Sequence, residues 1–411
     1  MFIMAKPAGA ACNLACAYCF YLPKKALYPG SSLRMSDEVL DAYLRQAIEA
    51  EPTGEVTIAW QGGEPTLMGL DFFRHAAAVA ARYLPAGKSL RWTMQTNGTL
   101  LDDAWCQFLR EQGYLVGLSL DGPRRAHDAY RVDRAGRGTF DRVMRSLRLL
   151  QRHGVDYNIL ACVHAQSGQR GGEVYRFLRD EAGARYIQFI PVVEWAGAGQ
   201  GAGRHTGSPV TPRSVRPMQW GRFLVDVFDE WVRRDVGQVF VLTFDWALAS
   251  WLGIESPVCI FRETCGDAVV LEHNGDLYAC DHYVQPAYRL GNILETPLAE
   301  LLSSERLRRF GQAKARLPQA CRACHVRFAC RGECPKNRLG GEGGLNYLCP
   351  GYRVFFEHID APMRVMAEPV RQGRPAEDIM ALHSCAATRR ERRIKQEEAA
   401  ARPPPPGFSP R

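Results

Sequence analysis

Short apolar runs alternate with amphipathic stretches through the first half of the chain. Between the runs, apolar positions recur with the 3.6-residue period of a helix, for example over Ser36–Ala50 and Phe140–His153. Strands separated by helices in this way predict a parallel α/β sheet, and six units indicate a partial (β/α)6 barrel that is open on one side. The predicted strands are Phe2–Lys6, Val56–Gln61, Leu90–Gln95, Leu115–Leu120, Tyr157–Val163 and Tyr186–Val193.

The second half of the chain differs in composition. Ala196–Pro217 is rich in Gly, Ser and Pro and is typical of a mobile loop or linker. Between Cys259 and Cys349 the chain is rich in cysteine, with short hairpins such as the one around Asn274-Gly275. We therefore expect three regions: a barrel over 1–235, a cysteine-rich domain with short hairpins and helices over 236–365, and a disordered basic, Pro-rich tail over 366–411.

Composition and charge exclude some functions. The chain has 411 residues, 46% of them hydrophobic and 23% charged, as in a soluble globular protein. A net charge of +8 without a basic stripe argues against a nucleic-acid partner, and no apolar run reaches the ~20 residues of a membrane span. The stretch before Cys12 is too short for a secretory signal, so we expect a cytoplasmic protein whose 14 cysteines bind metal rather than form disulfides.

Polar or glycine-rich turns follow three of the predicted strands. They are Gln61–Pro65, Gln95–Gly98 and Ser119–Gly122. Because the carboxyl ends of parallel strands meet at one rim, these turns predict a small-molecule site there.

Cys12, Cys16 and Cys19 lie in one short loop after the first strand. Thiolates at this spacing can converge on a soft metal centre. Three ligands are one fewer than structural zinc or an electron-transfer cluster uses, so the loop indicates a metal with an open position. A chance cluster or a partial zinc site is the alternative.

Eight further cysteines precede the tail, the number that two four-cysteine clusters require. They are Cys259, Cys265, Cys280, Cys321, Cys324, Cys330, Cys334 and Cys349. Zinc is the alternative here, although only Cys321 and Cys324 form a Cys-x2-Cys pair. Cys106 and Cys162 are expected to be packed core thiols, and Cys385 in the tail has no assigned role.

These motifs together resemble the radical S-adenosylmethionine (SAM) enzymes that carry a SPASM extension. More narrowly, the chain resembles the anaerobic sulfatase-maturating enzymes over about residues 5 to 360. The resemblance is carried by Cys12–Phe20, Gln61–Pro65, Gln95–Thr99, Leu115–Gly122, Cys280–Tyr283, Leu290–Ile293 and Leu345–Cys349.

The resemblance implies three [4Fe–4S] clusters and bound SAM. It makes Cys12, Cys16 and Cys19 the ligands of the SAM cluster. The residues implied to contact SAM are Tyr18, Gly62, Gly63, Glu64, Ser119, Arg131 and Val193. The first auxiliary cluster would be held by Cys259, Cys265, Cys280 and Cys334, and the second by Cys321, Cys324, Cys330 and Cys349. The sequence leaves open an exchange of Cys330 and Cys334 between the two.

The implied reaction is oxidation of a sulfatase Cys or Ser to Cα-formylglycine, with a reducing electron donor such as flavodoxin or ferredoxin. Asp281 matches the proposed catalytic base, and we expect burial to raise its pKa, with His282 as a weaker candidate. Other SPASM enzymes crosslink or epimerise ribosomally made peptides, and that reaction is the alternative within the fold. A zinc-stabilised nucleic-acid-binding protein that uses the Arg-rich tail is the alternative outside it.

Overall fold

A ten-stranded sheet organises the protein, described here by a computed structural model that covers residues 2–196, 209–341 and 343–381. The strands are β1 (Phe2–Lys6), β2 (Glu55–Trp60), β3 (Ser89–Thr96), β4 (Leu115–Ser119), β5 (Asp156–Val163), β6 (Tyr186–Pro191), β7 (Phe240–Val241), β8 (Ala268–Glu272), β9 (Asp276–Tyr278) and β10 (Arg289–Asn292). The α-helices of the described residues are α1 (Asp37–Ala50), α2 (Leu70–Tyr83), α3 (Asp103–Glu111), α4 (Arg124–Asp128), α5 (Phe140–Arg152), α6 (Gly171–Arg176), α7 (Pro217–Arg234), α8 (Leu242–Trp251), α9 (Leu298–Leu302), α10 (Glu305–Ala313), α11 (Gln319–Arg322), α12 (Arg327–Cys330) and α13 (Cys349–Arg371).

The strands β1 to β6 lie side by side, in parallel and in chain order. This confirms the predicted partial barrel. Its helices follow the sequence signals: the Ser36 side chain accepts a hydrogen bond from the backbone of Val39 at the start of α1, and Leu40, Tyr43 and Leu44 form a buried stripe. The carboxyl ends of the strands therefore share one rim.

The sheet continues beyond the barrel on both sides. The two-residue strand β7, which the sequence analysis missed, pairs with β6. On the other side β8 pairs in parallel with β1, and the hairpin predicted around Asn274-Gly275 is formed by β8 and β9. The cysteine-rich region is therefore joined to the barrel through the same sheet, next to the strand that precedes the first cysteine loop.

The helices α7 and α13 pack against each other at very short range. A Cβ on Gly351 in α13 would lie 2.0 Å from the carbonyl oxygen of Pro217, and one on Gly221 in α7 would lie 2.5 Å from the carbonyl oxygen of Gly351. Only glycine permits this approach of two backbones. The contact fixes the position of Cys349 at the start of α13.

The predicted tail begins too early. The helix α13 runs to Arg371, because Met366 and Ala367 are fully buried in its apolar stripe. Residues 382–411, which include Cys385, and 197–208 of the predicted linker lie outside the described residues. Among the described helices, none combines the length and the apolar character needed to cross a bilayer.

Candidate radical SAM site

The loop after β1 holds the first three cysteines close together. Burial raises the pKa of Cys12 to about 12, and the charges of Cys16 and Cys19 act in the same direction. Two backbone hydrogen bonds of 2.9 Å join the middle of this loop to residues 130–132. The loop is therefore held against the segment that follows β4.

Two N–H groups point at the sulfur of Cys12. The backbone N–H of Leu14 donates to Sγ at 3.3 Å, and Nδ2 of Asn97 lies 3.7 Å from the same atom. Such donors stabilise a thiolate, the form that binds a metal. Three free thiols with donors of this kind fit the iron–sulfur cluster that the motif implies.

The glycine turn after β2 lies backbone to backbone against the cysteine loop. Gly62 has a φ of +126°, which favours glycine. A Cβ on Gly63 would lie only 1.9 Å from the carbonyl oxygen of Ala11, and the backbone N–H of Gly63 donates to the Gly9 carbonyl at 2.8 Å. Gly62 and Gly63 thus allow the backbone of the β2 turn to lie directly against the backbone that leads into the cysteine loop.

Glu64 is fully buried and connects two strand ends. Its Oε1 accepts hydrogen bonds from the backbone and hydroxyl of Thr66 and from the hydroxyl of Thr96, and its Oε2 accepts from the backbone of Asn97 at 2.8 Å. Both carboxylate oxygens are thus occupied within the protein. Glu64 is therefore linked to the predicted SAM site indirectly: it binds the backbone of Asn97, and the side chain of Asn97 contacts Cys12.

Asp121 joins four elements of the site, although the sequence analysis assigned it no role. Its carboxylate lies 2.9 Å from Nε of Arg131, accepts from the hydroxyl of Tyr18 at 2.5 Å, and accepts from the backbone of Cys162 at 2.9 Å. The guanidinium of Arg131 lies 5.6 Å from the centre of the Tyr18 ring. Two of the predicted SAM contacts are therefore oriented by one buried carboxylate.

The two unassigned thiols of the barrel differ in their surroundings. Cys106 is fully buried in the core, as predicted. Cys162 is not a plain core thiol, because its Sγ lies 3.8 Å from Nη2 of Arg131. A signal in the sequence was its position at the end of a strand, on the rim where the site forms.

Two further predicted contacts also lie at strand ends. The hydroxyl of Ser119 accepts a hydrogen bond from Nε2 of Gln95 at 3.0 Å, which links the ends of β3 and β4. Val193 follows β6 and is half-buried against the core. The site predicted from the sequence is thus distributed along one rim of the barrel.

Four of the C-terminal cysteines lie near one another and form a first group: Cys259, Cys265, Cys280 and Cys334. Burial raises the pKa of Cys280 well above its usual value, and the charges of Cys334 and Cys259 add to this effect. Burial also raises the pKa of Cys334, on which the charge of Cys265 acts. These four thiols lie within electrostatic range of one another.

The other four cysteines form a second group: Cys321, Cys324, Cys330 and Cys349. Burial raises the pKa of Cys349, and the charges of Cys321 and Cys324 act in the same direction. Burial raises the pKa of Cys330 to about 12, and the charges of Cys349 and Cys321 contribute. The grouping follows the division that the resemblance implies.

Neither group is arranged around a single ion. In the part of the chain that the structure describes, no three Cys, His, Asp or Glu side chains converge on a point that one metal ion could occupy.

Asp281 lies beside the first cysteine loop, but its pKa is not raised as expected. The ring of Phe20, which follows Cys19, lies 4.7 Å from the ring of His282. Burial alone would raise the pKa of Asp281, but the positive charges of His282 and Lys6 and a hydrogen bond from the Cys280 thiol outweigh it, so the pKa is lowered. The prediction neglected the charge of the adjacent His282 and that of Lys6, which comes from a distant part of the chain.

Lys6, at the end of β1, is a further residue that the sequence analysis missed. Its side chain is 2% exposed, and its ammonium lies 4.6 Å from the centre of the Tyr21 ring. Within the described residues this ammonium has no hydrogen-bond acceptor or ion-pair partner, although the charge of Asp281 acts on it. The sequence did contain an indication of this buried cation, because Lys6 is the one charged residue in an otherwise apolar strand.

Comparison with known proteins agrees with this geometry. The profile of the Radical SAM superfamily matches residues 7–178, and that of SPASM, described as an iron-sulfur cluster-binding domain, matches residues 259–325. The parallel sheet, the three-cysteine loop and the cysteine-rich extension thus define a radical SAM protein with a SPASM domain.

Similarity over nearly the whole chain narrows this class. A serine-type anaerobic sulfatase-maturating enzyme of Bacteroides thetaiotaomicron is 43% identical over 93% of this chain and 95% of its own length. A cysteine-type enzyme of Clostridium perfringens is 32% identical over 87% of this chain and 95% of its own. The structure described as native anSMEcpe with bound AdoMet and Cp18Cys peptide matches with a TM-score of 0.80 at 32% identity, over 90% of this chain and 99% of that one. The chain belongs to the anaerobic sulfatase-maturating enzyme family.

Proposed function

We propose that this chain oxidises a serine or cysteine of a sulfatase polypeptide to Cα-formylglycine. The observation that carries the proposal is the contact between Phe20 and His282, whose ring centres are 4.7 Å apart. It brings Asp281 beside the loop of Cys12, Cys16 and Cys19, so a carboxylate lies next to the expected source of the radical. Full-length similarity to enzymes named for this reaction supports the same conclusion.

The SAM site is assigned to the barrel rim, within a first domain over 1–235. Cys12, Cys16 and Cys19 bind the cluster with the open iron, and Arg131 and Ser119 bind the SAM carboxylate. The other proposed SAM contacts are Tyr18, Gly62, Gly63 and Val193. When bound, cluster and SAM supply a 5′-deoxyadenosyl radical that takes a hydrogen atom from Cβ of the target residue.

Asp121 prepares this site for its ligand. It forms an ion pair with Arg131, whose Nε lies 2.9 Å away, and accepts a hydrogen bond from the Tyr18 hydroxyl at 2.5 Å, so the guanidinium is held next to the Tyr18 ring before SAM arrives. A guanidinium held in this way pairs well with a carboxylate.

The second domain, over 236–365, supplies the base and the auxiliary ligands. Asp281 takes the hydroxyl or thiol proton of the target residue as the C=O or C=S bond forms, and the one remaining electron would leave to an auxiliary cluster. Cys259, Cys265, Cys280 and Cys334 hold one auxiliary cluster, and Cys321, Cys324, Cys330 and Cys349 hold the other. The mutual effects of these thiols on their pKa values support this division, including the placement of Cys330 and Cys334. A flavodoxin or ferredoxin is the proposed reducing partner.

Serine is the first target to test. Identity to the serine-type relative is 43%, compared with 32% to the cysteine-type relative, over similar shares of the chain. Both residues pass through the same loss of a Cβ hydrogen and a heteroatom proton, so the same site can serve either.

The experiment uses anaerobically reconstituted protein, SAM, a strong reductant and two peptides that differ only in Ser or Cys within an x-Pro-x-Arg context. Mass spectrometry is expected to show loss of one H2 from the serine peptide, together with 5′-deoxyadenosine. Asp281→Asn should abolish the aldehyde. Asp267→Asn, which alters a half-exposed carboxylate paired with Arg262, is the matched control and should retain it. Formation of 5′-deoxyadenosine with both peptides unchanged would reject the proposed function in favour of another peptide modification.

A further inference from the structure

Lys314 is a buried cation that follows α10. Its side chain is 0% exposed, and among the described residues no carboxylate lies within ion-pair distance of Nζ. The ammonium instead donates to three backbone carbonyls, those of Cys259, Ile260 at 3.0 Å and Arg262 at 2.5 Å. All three of its N–H groups are used, and they hold the loop that begins at Cys259.

The positive charge of Lys314 acts on the first cysteine group. The end of α10 packs directly on that group, since the backbone N–H of Cys265 donates to the Gly311 carbonyl at 3.1 Å. Burial lowers the pKa of Lys314, and the charges of Cys265, Cys259 and Cys334 oppose this effect. A charge buried among neutral carbonyls is costly, so these thiolates are its nearest counter-charges, and the buried carboxylate of Glu333 adds a smaller contribution.

The second cysteine group lies near different cations. Burial raises the pKa of Cys321, and the charge of the buried Arg338, which donates to the Lys314 carbonyl at 2.7 Å, opposes this effect there and at Cys265 of the first group. Arg353 likewise opposes the raised pKa of Cys349, but its side chain is 60% exposed and its Nε is paired with Glu357 at 2.8 Å. Solvent and the carboxylate both weaken its field. The two groups therefore differ in electrostatic environment.

On the basis of the proposed function, we infer that Lys314 is the counter-ion of the first auxiliary cluster and raises its reduction potential. A four-thiolate cluster becomes more negative by one charge when it is reduced. A buried, fixed cation stabilises the more negative form, and net charge and hydrogen bonding are the protein's means of setting such potentials. Lys314 thus makes this cluster easier to reduce.

The test is an EPR-monitored redox titration of full-length, anaerobically reconstituted protein. Replacing Cys12, Cys16 and Cys19 by alanine removes the SAM cluster, so that only the EPR signals of the two auxiliary clusters remain. Lys314→Met should shift one auxiliary potential to a more negative value and leave the other unchanged. Lys314→Arg should keep the original value, and Arg353→Met, the exposed control, should move neither.

Unchanged potentials in Lys314→Met with full iron content would overturn the inference. Lys314→Gln, which retains amide donors for the loop carbonyls, covers the case in which the Met variant does not fold, and should show the same negative shift. Iron loss in the Met and Gln variants but not in Lys314→Arg would support a requirement for charge. Iron loss in all three would refute it and indicate a steric role. The titration needs no peptide, so its result is independent of whether formylglycine is the product.

Discussion

Replacing Gly63 by alanine tests the contact between the β2 turn and the cysteine loop. The new Cβ would lie 1.9 Å from the Ala11 carbonyl oxygen and 2.5 Å from its carbon. Real Cβ contacts do not fall below 3.0 Å, so the two backbones must separate by at least 3.0 − 1.9 = 1.1 Å. Both contacted atoms belong to the backbone, so no side-chain rotation relieves the overlap.

This separation acts directly on the metal site, because Cys12 follows Ala11. Overpacking of this kind costs about 1–3 kcal/mol. Displacement of reacting groups by about 1 Å can lower a rate by about 100-fold. We therefore expect Gly63→Ala to bind SAM more weakly and to form 5′-deoxyadenosine about 100-fold more slowly.

The assay compares Gly63→Ala with Gly54→Ala at the other end of β2. A Cβ at Gly54 would meet nothing closer than the Gly87 carbonyl oxygen at 3.7 Å, an ordinary contact, so this control should behave as wild type. Iron content, SAM affinity and the rate of 5′-deoxyadenosine formation are measured for each. Equal rates and equal iron content in the two variants would show that the predicted overlap does not control the site.

Three further outcomes follow from buried charges. Asp121→Asn removes the partner of Arg131 and should weaken SAM binding by about tenfold or more in a direct binding assay, without loss of iron. Lys6→Met should lower kcat about tenfold or more with little change in KM, because it removes an unpaired cation near Asp281. The half-buried Lys24, which already donates to a backbone carbonyl, should tolerate the same change. Equal effects of the two substitutions on kcat would count against a catalytic role for Lys6. Burial lowers the pKa of His127 to about 4, so the unfolded state takes up a proton first as the pH falls. The contribution of His127 should lower folding stability by about 1 kcal/mol between pH 7.5 and 5.5, and unfolding measurements on His127→Gln should show a pH dependence that is weaker by this amount.

Local patterns predicted the barrel well, because each unit is defined by residues close in sequence. The strand Phe2–Lys6 was placed with its exact bounds, and the turn at Asn274-Gly275 identified its hairpin. The spacing of Cys12, Cys16 and Cys19 is likewise a local property. What local patterns could not give was the pairing of β8 with β1, which joins residues more than 250 positions apart.

Residue types and their spacing suffice to identify the chemistry that is present: which thiols can bind metal, where glycine is required and where strands end. How charges from different segments combine became visible only in the folded chain. Asp121 contacts both Arg131 and Tyr18, and Lys6, some 275 positions away, joins the neighbouring His282 in lowering the pKa of Asp281. Ligand spacing is fixed by a few neighbouring residues, whereas an electrostatic environment depends on every charge within about 10 Å, whatever its position in the chain.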